Sequence, residues 1–237
     1  MSLQQSRIYL NDASFIPHYF LCNYIPMQTG SDNLSRSLIR FKKALADDLQ
    51  AWIDCAVKEL KSLLFPLDLI ILRALSADEI IINTNKKTAL DKLGKAISND
   101  LRATWMTDLI MKKKPTRPLK TLSAIERKNE LENIYTLKKK LSISHPEKFL
   151  LIDDIVTTGT TMQAIANLLR FHFPDTDIFV FTLAKTTHED ESNSSLSLKG
   201  NTYNWYHDQA NWMIADAEEN YINYHQLVSF ILMDKFE

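Results

Sequence analysis

The stretch Phe149-Leu150-Leu151-Ile152-Asp153-Asp154-Ile155-Val156-Thr157-Thr158-Gly159-Thr160-Thr161 constrains the fold of this chain more than any other. Four consecutive apolar residues predict a strand buried on both faces, as in a parallel sheet. Two carboxylates stand where that strand ends, and a short hydroxyl-rich turn leads into a helix predicted over Thr161 to Phe171. A further strand is predicted over Asp177 to Leu183. Strand, tight loop, helix and strand in that order imply a right-handed βαβ unit with parallel strands. The carboxyl ends of such strands are where ligands bind in open α/β sheets.

The residue types at this point suit a sugar phosphate. A turn of small residues can offer successive backbone N–H groups to a phosphate, assisted by Thr hydroxyls and the dipole of the following helix. Only four glycines occur in 237 residues, against a usual share of about 7%. Gly159 is therefore informative: it lets the backbone approach an anion with no Cβ in the way. Asp153 and Asp154 would repel a phosphate they touched. They fit instead as acceptors for ribose hydroxyls, or as outer ligands of a Mg²⁺ held mainly by the substrate's own phosphates. The plainer alternative is that the two acids end a strand and the threonines cap a helix. The turn is not a Walker A loop, which ends in Gly-Lys-Ser/Thr.

Elsewhere the spacing predicts a helix over Ser35 to Phe65, stopped by Pro66, then a buried strand over Leu67 to Leu72 and a polar turn at Ser76-Ala77-Asp78. A second helix is predicted over Thr88 to Leu109, with Leu90, Leu93, Ile97, Leu101 and Trp105 on one face. Lys112 to Asn133 loses periodicity around three lysines and two prolines, and reads as a mobile basic loop leading into a short helix. These elements suggest an extension over 1–34, an α/β domain over 35–186, and a loop with a C-terminal extension over 187–237. That extension carries Tyr203, Trp205, Tyr206, Trp212, Tyr221, Tyr224 and Phe230, an aromatic density suited to docking on its own domain or on a second subunit.

Charge and composition narrow the function further. Asn85 to Lys140 holds 15 Lys+Arg against 6 acids, and Thr186 to Glu237 holds 2 against 9. The basic middle suits an anionic small molecule or nucleic acid, and equally a set of solvated helix faces paired with the tail. Cys22 and Cys55 form no CxxC pair, so neither a zinc ribbon nor a disulfide framework is available. The six histidines show no HExxH spacing, and no GxSxG elbow occurs. The longest apolar runs fall far short of the roughly 18–20 residues that span a bilayer. Polar residues interrupt the start of the chain, so a cytoplasmic protein with no membrane segment is expected.

Ile152 to Thr161 resembles the phosphoribosyl pyrophosphate (PRPP) motif of the type I phosphoribosyltransferases. The wider chain, through Leu38 to Lys43, Arg117 to Arg127 and Thr182 to Thr186, is most similar within that family to the ComF-related competence proteins. The resemblance implies an α/β fold with a central parallel sheet flanked by helices and covered by a mobile hood. It implies a Mg²⁺-dependent pentosyl transfer from PRPP to a nitrogenous base or amine, with release of pyrophosphate; the alternative is a non-catalytic relative acting in DNA uptake. Asp153 and Asp154 would hold the ribose hydroxyls, and Thr157, Thr158, Gly159, Thr160 and Thr161 the 5-phosphate. Arg73, beside Ala74-Leu75-Ser76, would engage pyrophosphate, or be a solvated residue at a strand end. Lys112, Lys113, Lys114, Arg117 and Arg127 would neutralise pyrophosphate from the hood, and Lys185, after the next strand, would read the base. Relatives are commonly dimers, so a homodimer is expected by analogy. Two departures stand out: the cysteine-rich zinc module of ComF-like proteins is missing, and Thr157 replaces the acidic residue of 6-oxopurine enzymes.

Overall fold

A computed structural model describes residues 3–26, 32–63, 68–83, 85, 87–117, 122–138 and 148–186. The C-terminal extension expected over 187–237 lies outside the described residues. One six-stranded sheet organises the chain, in the order β1 (Gln4–Tyr9), β2 (Phe15–Tyr24), β8 (Asp177–Thr186), β7 (Lys148–Val156), β3 (Leu69–Arg73), β4 (Thr104–Trp105). All neighbours from β2 to β4 run parallel, and β1 closes one edge antiparallel. A second sheet pairs β5 (Ile110–Lys112) with β6 (Tyr135–Leu137), antiparallel. The expected α/β class with a central parallel sheet is what the chain adopts.

Alternation along β7 shows why helices cover both faces. Phe149 and Leu151 enter one apolar cluster with Met162, Ile165 and Leu169 of α5 (Thr160–His172), joined by Leu109, Leu131 and Ile134. Leu150 and Ile152 enter the other, with Leu38 and Phe41 of α1 (Asn33–Lys42), Trp52 and Leu60 of α2 (Ala46–Leu60), and Leu93 and Ile97 of α3 (Ala89–Leu101). A period of two on a doubly covered strand produces this division. Continued past Ile152, it sends Asp153 toward the α5 face and Asp154 toward α1.

Several predicted boundaries are corrected. The residues expected as an N-terminal extension form β1 and β2, two strands of the sheet. A buried chain of hydrogen bonds helps tie them in: His18 Nε2 lies 2.8 Å from Thr182 Oγ1, and His18 Nδ1 lies 2.9 Å from Ser6 Oγ. Because Thr182 donates its hydroxyl to Ala184 O at 2.9 Å, His18 Nε2 must donate and Nδ1 accept. Burial, with Lys185 nearby, pushes His18 down to about 4, which keeps the ring neutral. The long helix expected from Ser35 breaks into α1 and α2 at Lys43-Ala44-Leu45, where Ala44 takes φ 56°. The helix expected to Leu109 ends at Leu101, because Arg102 turns left-handed (φ 54°) and the chain enters β4.

That early ending puts Trp105 over Gly94 of α3. A Cβ on Gly94 would stand 2.3 Å from Trp105 Cζ3, a steric conflict that should exceed the helix propensity alanine brings. Gly94→Ala is expected to destabilise the fold by about 1–2 kcal/mol, read as a lower midpoint in urea unfolding. An unchanged midpoint would mean that Trp105 yields freely.

Candidate active site

β7 runs past the predicted end to Val156, so Asp153 and Asp154 lie within the strand rather than at its tip. They border a cavity of about 380 Å³, together with Phe41 and Lys42 of α1, the Arg73–Ala77 segment and Glu79, the start of α3, Lys112, Tyr135 and Thr161. Asp154 Oδ1 accepts from Ile155 N at 2.6 Å and pairs with Lys42 Nζ at 3.1 Å. Asp153 Oδ1 accepts from Asp154 N at 2.9 Å. The Oδ2 of each has no hydrogen-bond partner among the described residues.

The electrostatics differ between the two acids. Burial, then the neighbouring Asp154, pushes the Asp153 carboxyl well above the usual carboxylate range, against the pull of the Asp154 N–H, Lys42 and Arg73. Burial also opposes the charge on Lys42, but Asp154 more than offsets it and holds the ammonium above its ordinary value. Asp153 is thus a carboxyl whose charge is poorly supported by the protein alone. Incoming hydroxyl donors or a cation would support it.

After β7 the chain turns through Thr157 and Thr158, both exposed, to Gly159 at φ 77°. There Gly159 N-caps α5 with no side-chain cap hydrogen bond, as Leu45 does for α2, whereas Asp32, Thr88 and Ser123 cap α1, α3 and α4 (Ala124–Leu131). The first-turn N–H groups of α5 therefore have no intrahelical or capping partner, and lie beside the Thr158 and Thr160 hydroxyls, which are 2.8 Å apart. Of the five turn residues only Thr161 borders the cavity, so the turn forms a separate station at its side.

Arg73 is neither the solvated residue nor the open phosphate ligand expected from sequence. Its side chain is 2% exposed and all five N–H donors are taken. Nε donates to Asp91 Oδ1 at 2.5 Å, the two terminal nitrogens donate to the Glu79 carboxylate at 2.8 Å each, and bonds to Ala74 O (2.9 Å) and Asp91 Oδ2 (3.5 Å) complete the set. Ser76 N donates to Glu79 Oε2 at 2.8 Å. Arg73 thus fastens the 74–79 loop to the N-terminus of α3, where Asp91 also closes a capping box with Thr88. It is a positioning residue for the cavity wall.

The basic segment also differs from expectation. Lys112 is a strand residue, 2% exposed, whose Nζ donates to Ser76 O at 2.6 Å and Thr116 Oγ1 at 3.3 Å. Burial pushes it down to about 8, against the pull of Glu79, Asp78 and Glu130. Arg117 pairs with Glu130 at 3.1 Å, and Arg127 donates to Leu122 O at 3.0 Å. Neither borders the cavity. Lys185 lies inside β8, opposite Val156, rather than beyond the strand. Sequence reasoning missed Lys42, Glu79, Asp91 and Tyr135. The Thr88-x-x-Asp91 capping signature was readable, and nothing in the pattern singled out Tyr135.

No protein-family model matches the chain. Over 80 residues it is 30% identical to Competence protein F of Haemophilus influenzae, a match covering 34% of this chain and 35% of that protein. The chain thus matches about a third of the length of this curated relative. Its fold is similar to solved phosphoribosyltransferases at low identity. The adenine enzyme of Trypanosoma brucei, solved with AMP, pyrophosphate and ribose-5-phosphate, aligns with TM-score 0.44 and 15% identity over 86% of this chain and 84% of that one. Orotate phosphoribosyltransferase of Francisella tularensis aligns with TM-score 0.33 and 13% identity over 90% and 93%. Likeness at this level assigns no activity. Among the described residues no helix is long and apolar enough to cross a membrane.

Proposed function

We propose that this chain binds PRPP and transfers its ribose 5-phosphate to a nitrogen acceptor, releasing pyrophosphate. One juxtaposition carries the reading: two adjacent carboxyls with free oxygens beside a cavity, the second of them five residues before the left-handed Gly159 at a helix N-terminus that has no side-chain cap. Ribose hydroxyls donating to Asp153 and Asp154 would give Asp153 the support its surroundings withhold. The 5-phosphate would lie on the N–H groups and hydroxyls of Thr157–Thr161. In the transfer the anomeric carbon loses its bond to pyrophosphate, which leaves with the electron pair, and gains a bond to the acceptor nitrogen, whose proton is lost. Fixing the sugar at both ends aligns that displacement.

The donor set fits Mg²⁺ in a shared role. Two carboxyls offer hard oxygens, and no group of three or more metal-ligating side chains occurs among the described residues, so the substrate's phosphates and water would supply the other ligands. Bound there, the ion would offset the charge of the leaving pyrophosphate.

A specific observation favours a second reading, a PRPP-binding protein without turnover. Of the cations bordering the cavity, Lys42 is paired with Asp154, Arg73 with Glu79 and Asp91, and Lys112 is buried with its Nζ on Ser76 O and Thr116 Oγ1, which leaves little accessible positive charge for pyrophosphate. Calorimetric titration of PRPP with and without Mg²⁺ tests both readings. Mg²⁺-assisted binding that falls about a hundredfold in Asp153→Asn/Asp154→Asn is expected, equivalent to about 2.7 kcal/mol. Pyrophosphate release on adding bases then selects the transferase, binding without release selects the second reading, and equal binding by both proteins sinks the site.

A further inference from the structure

Among the described residues three cationic side chains border the cavity: Lys42, Arg73 and Lys112. Arg73 and Lys112 are closed off, each buried with its nitrogens on protein oxygens. Lys42 differs. It ends α1 beside the fully buried Phe41, and its side chain is 44% exposed. An ammonium has three donors, and Asp154 Oδ1, at 3.1 Å, takes one; the other two have no partner among the described residues. The accessible cationic capacity of the cavity is therefore concentrated on one side chain, held in place and kept charged by one of the two acids.

The stereochemistry of PRPP decides which of its groups meets that side chain. PRPP is an α-anomer: its pyrophosphate and its 2- and 3-hydroxyls leave one face of the ribose ring, and the carbon bearing the 5-phosphate leaves the other. With the hydroxyls on Asp153 and Asp154, an ammonium paired to Asp154 stands on the pyrophosphate side. The turn that would take the 5-phosphate reaches the cavity only through Thr161. We propose that Lys42 donates its two remaining hydrogens to the pyrophosphate oxygens of PRPP while staying paired with Asp154. The inference rests on the sugar-phosphate reading above and names the cation of that site, with or without turnover. Because Asp154 already holds the ammonium, the charge is in place before the ligand arrives.

PRPP and ribose 5-phosphate, which lacks the pyrophosphate, are the probes, each titrated calorimetrically with Mg²⁺ into the full chain. In Lys42→Met the preference for PRPP is expected to fall at least about fivefold, as for loss of a charge-assisted hydrogen bond. Lys42→Gln, which keeps a polar head without the charge, should show a similar fall. Lys43→Met removes the adjacent exposed lysine, which does not border the cavity, and should leave the preference within about twofold. A smaller fall in both Lys42 variants, with the two ligands weakened alike, would make Lys42 only a support for Asp154 and overturn the inference. An equal fall in Lys43→Met would reduce the effect to the general field and overturn it too, as would loss of ribose 5-phosphate binding in both Lys42 variants. Failure of the unaltered protein to bind either ligand defeats the sugar-phosphate reading itself, whereas binding with an unmoved preference defeats only the role of Lys42.

Discussion

Arg73→Met is expected to lower the free energy of unfolding by about 3–5 kcal/mol, the cost of removing one partner from a buried ion cluster. The substitution keeps side-chain bulk but strands two carboxylates, on Glu79 and Asp91, whose side chains are only 16% and 10% exposed. Their hydrogen bonds to Arg73 disappear together, and the 74–79 loop loses its tie to α3. The pH dependence identifies the mechanism. Burial pulls the Glu79 carboxyl up, but the hydrogen bonds from Arg73 and Ser76 outweigh it and hold it at about 2. A carboxyl depressed on folding contributes stability above its ordinary value of 4.5, and that contribution is lost as pH falls through about 2. The gap between the two proteins in urea unfolding should therefore be full at neutral pH and narrow progressively below 4.5. If Arg73 served chiefly as a pyrophosphate ligand, Arg73→Met would unfold at nearly the same urea concentration and lose only PRPP affinity.

The same residue shows where sequence stops informing. β3 and β7 were legible because four consecutive apolar residues have few other uses, and the turn at Gly159 was legible because glycine is rare in this chain. Those features are local. Whether Arg73 points to solvent, to a phosphate or to acids depends on Glu79 and Asp91, six and eighteen positions away, whose convergence is a tertiary fact. The basic segment misled for a related reason. Its lysines read as a loop because three in succession break an amphipathic period, yet Lys112 is buried by pairing with β6, more than twenty residues further on. β1 was hidden differently: polar residues on this edge strand, such as Gln4, Gln5 and Arg7, gave no continuous apolar run, as suits an edge with solvent on one side, whereas β2 does carry a run, Tyr19 to Cys22, but Pro17 and His18 interrupt the strand pattern just before it. The division of Ser35–Phe65 into α1 and α2 also escaped notice, because Ala44 adopts a left-handed conformation that an alanine does not advertise.

Asp153→Asn is expected to move stability and binding in opposite directions. Asn keeps the Oδ1 acceptor for the Asp154 N–H and removes a charge that burial and Asp154 both oppose. In the unaltered protein that carboxyl rises from 3.8 to about 7, so the folded state holds its proton more tightly than the unfolded state does. Such a group supports folding fully below 3.8, and this support is lost as pH rises through about 7. The two proteins should therefore melt alike near pH 3.8, and the variant should gain about 1–3 kcal/mol at alkaline pH, several degrees in melting temperature for a chain of this size. PRPP affinity should fall over the same range, because Asn can accept one ribose hydroxyl but brings no charge to it or to Mg²⁺. A stabilised variant that has lost its ligand means the chain keeps a strained acid for binding. A variant that is less stable at alkaline pH would instead make Asp153 part of the fold's own support, and the sugar site would have to be sought elsewhere in the cavity.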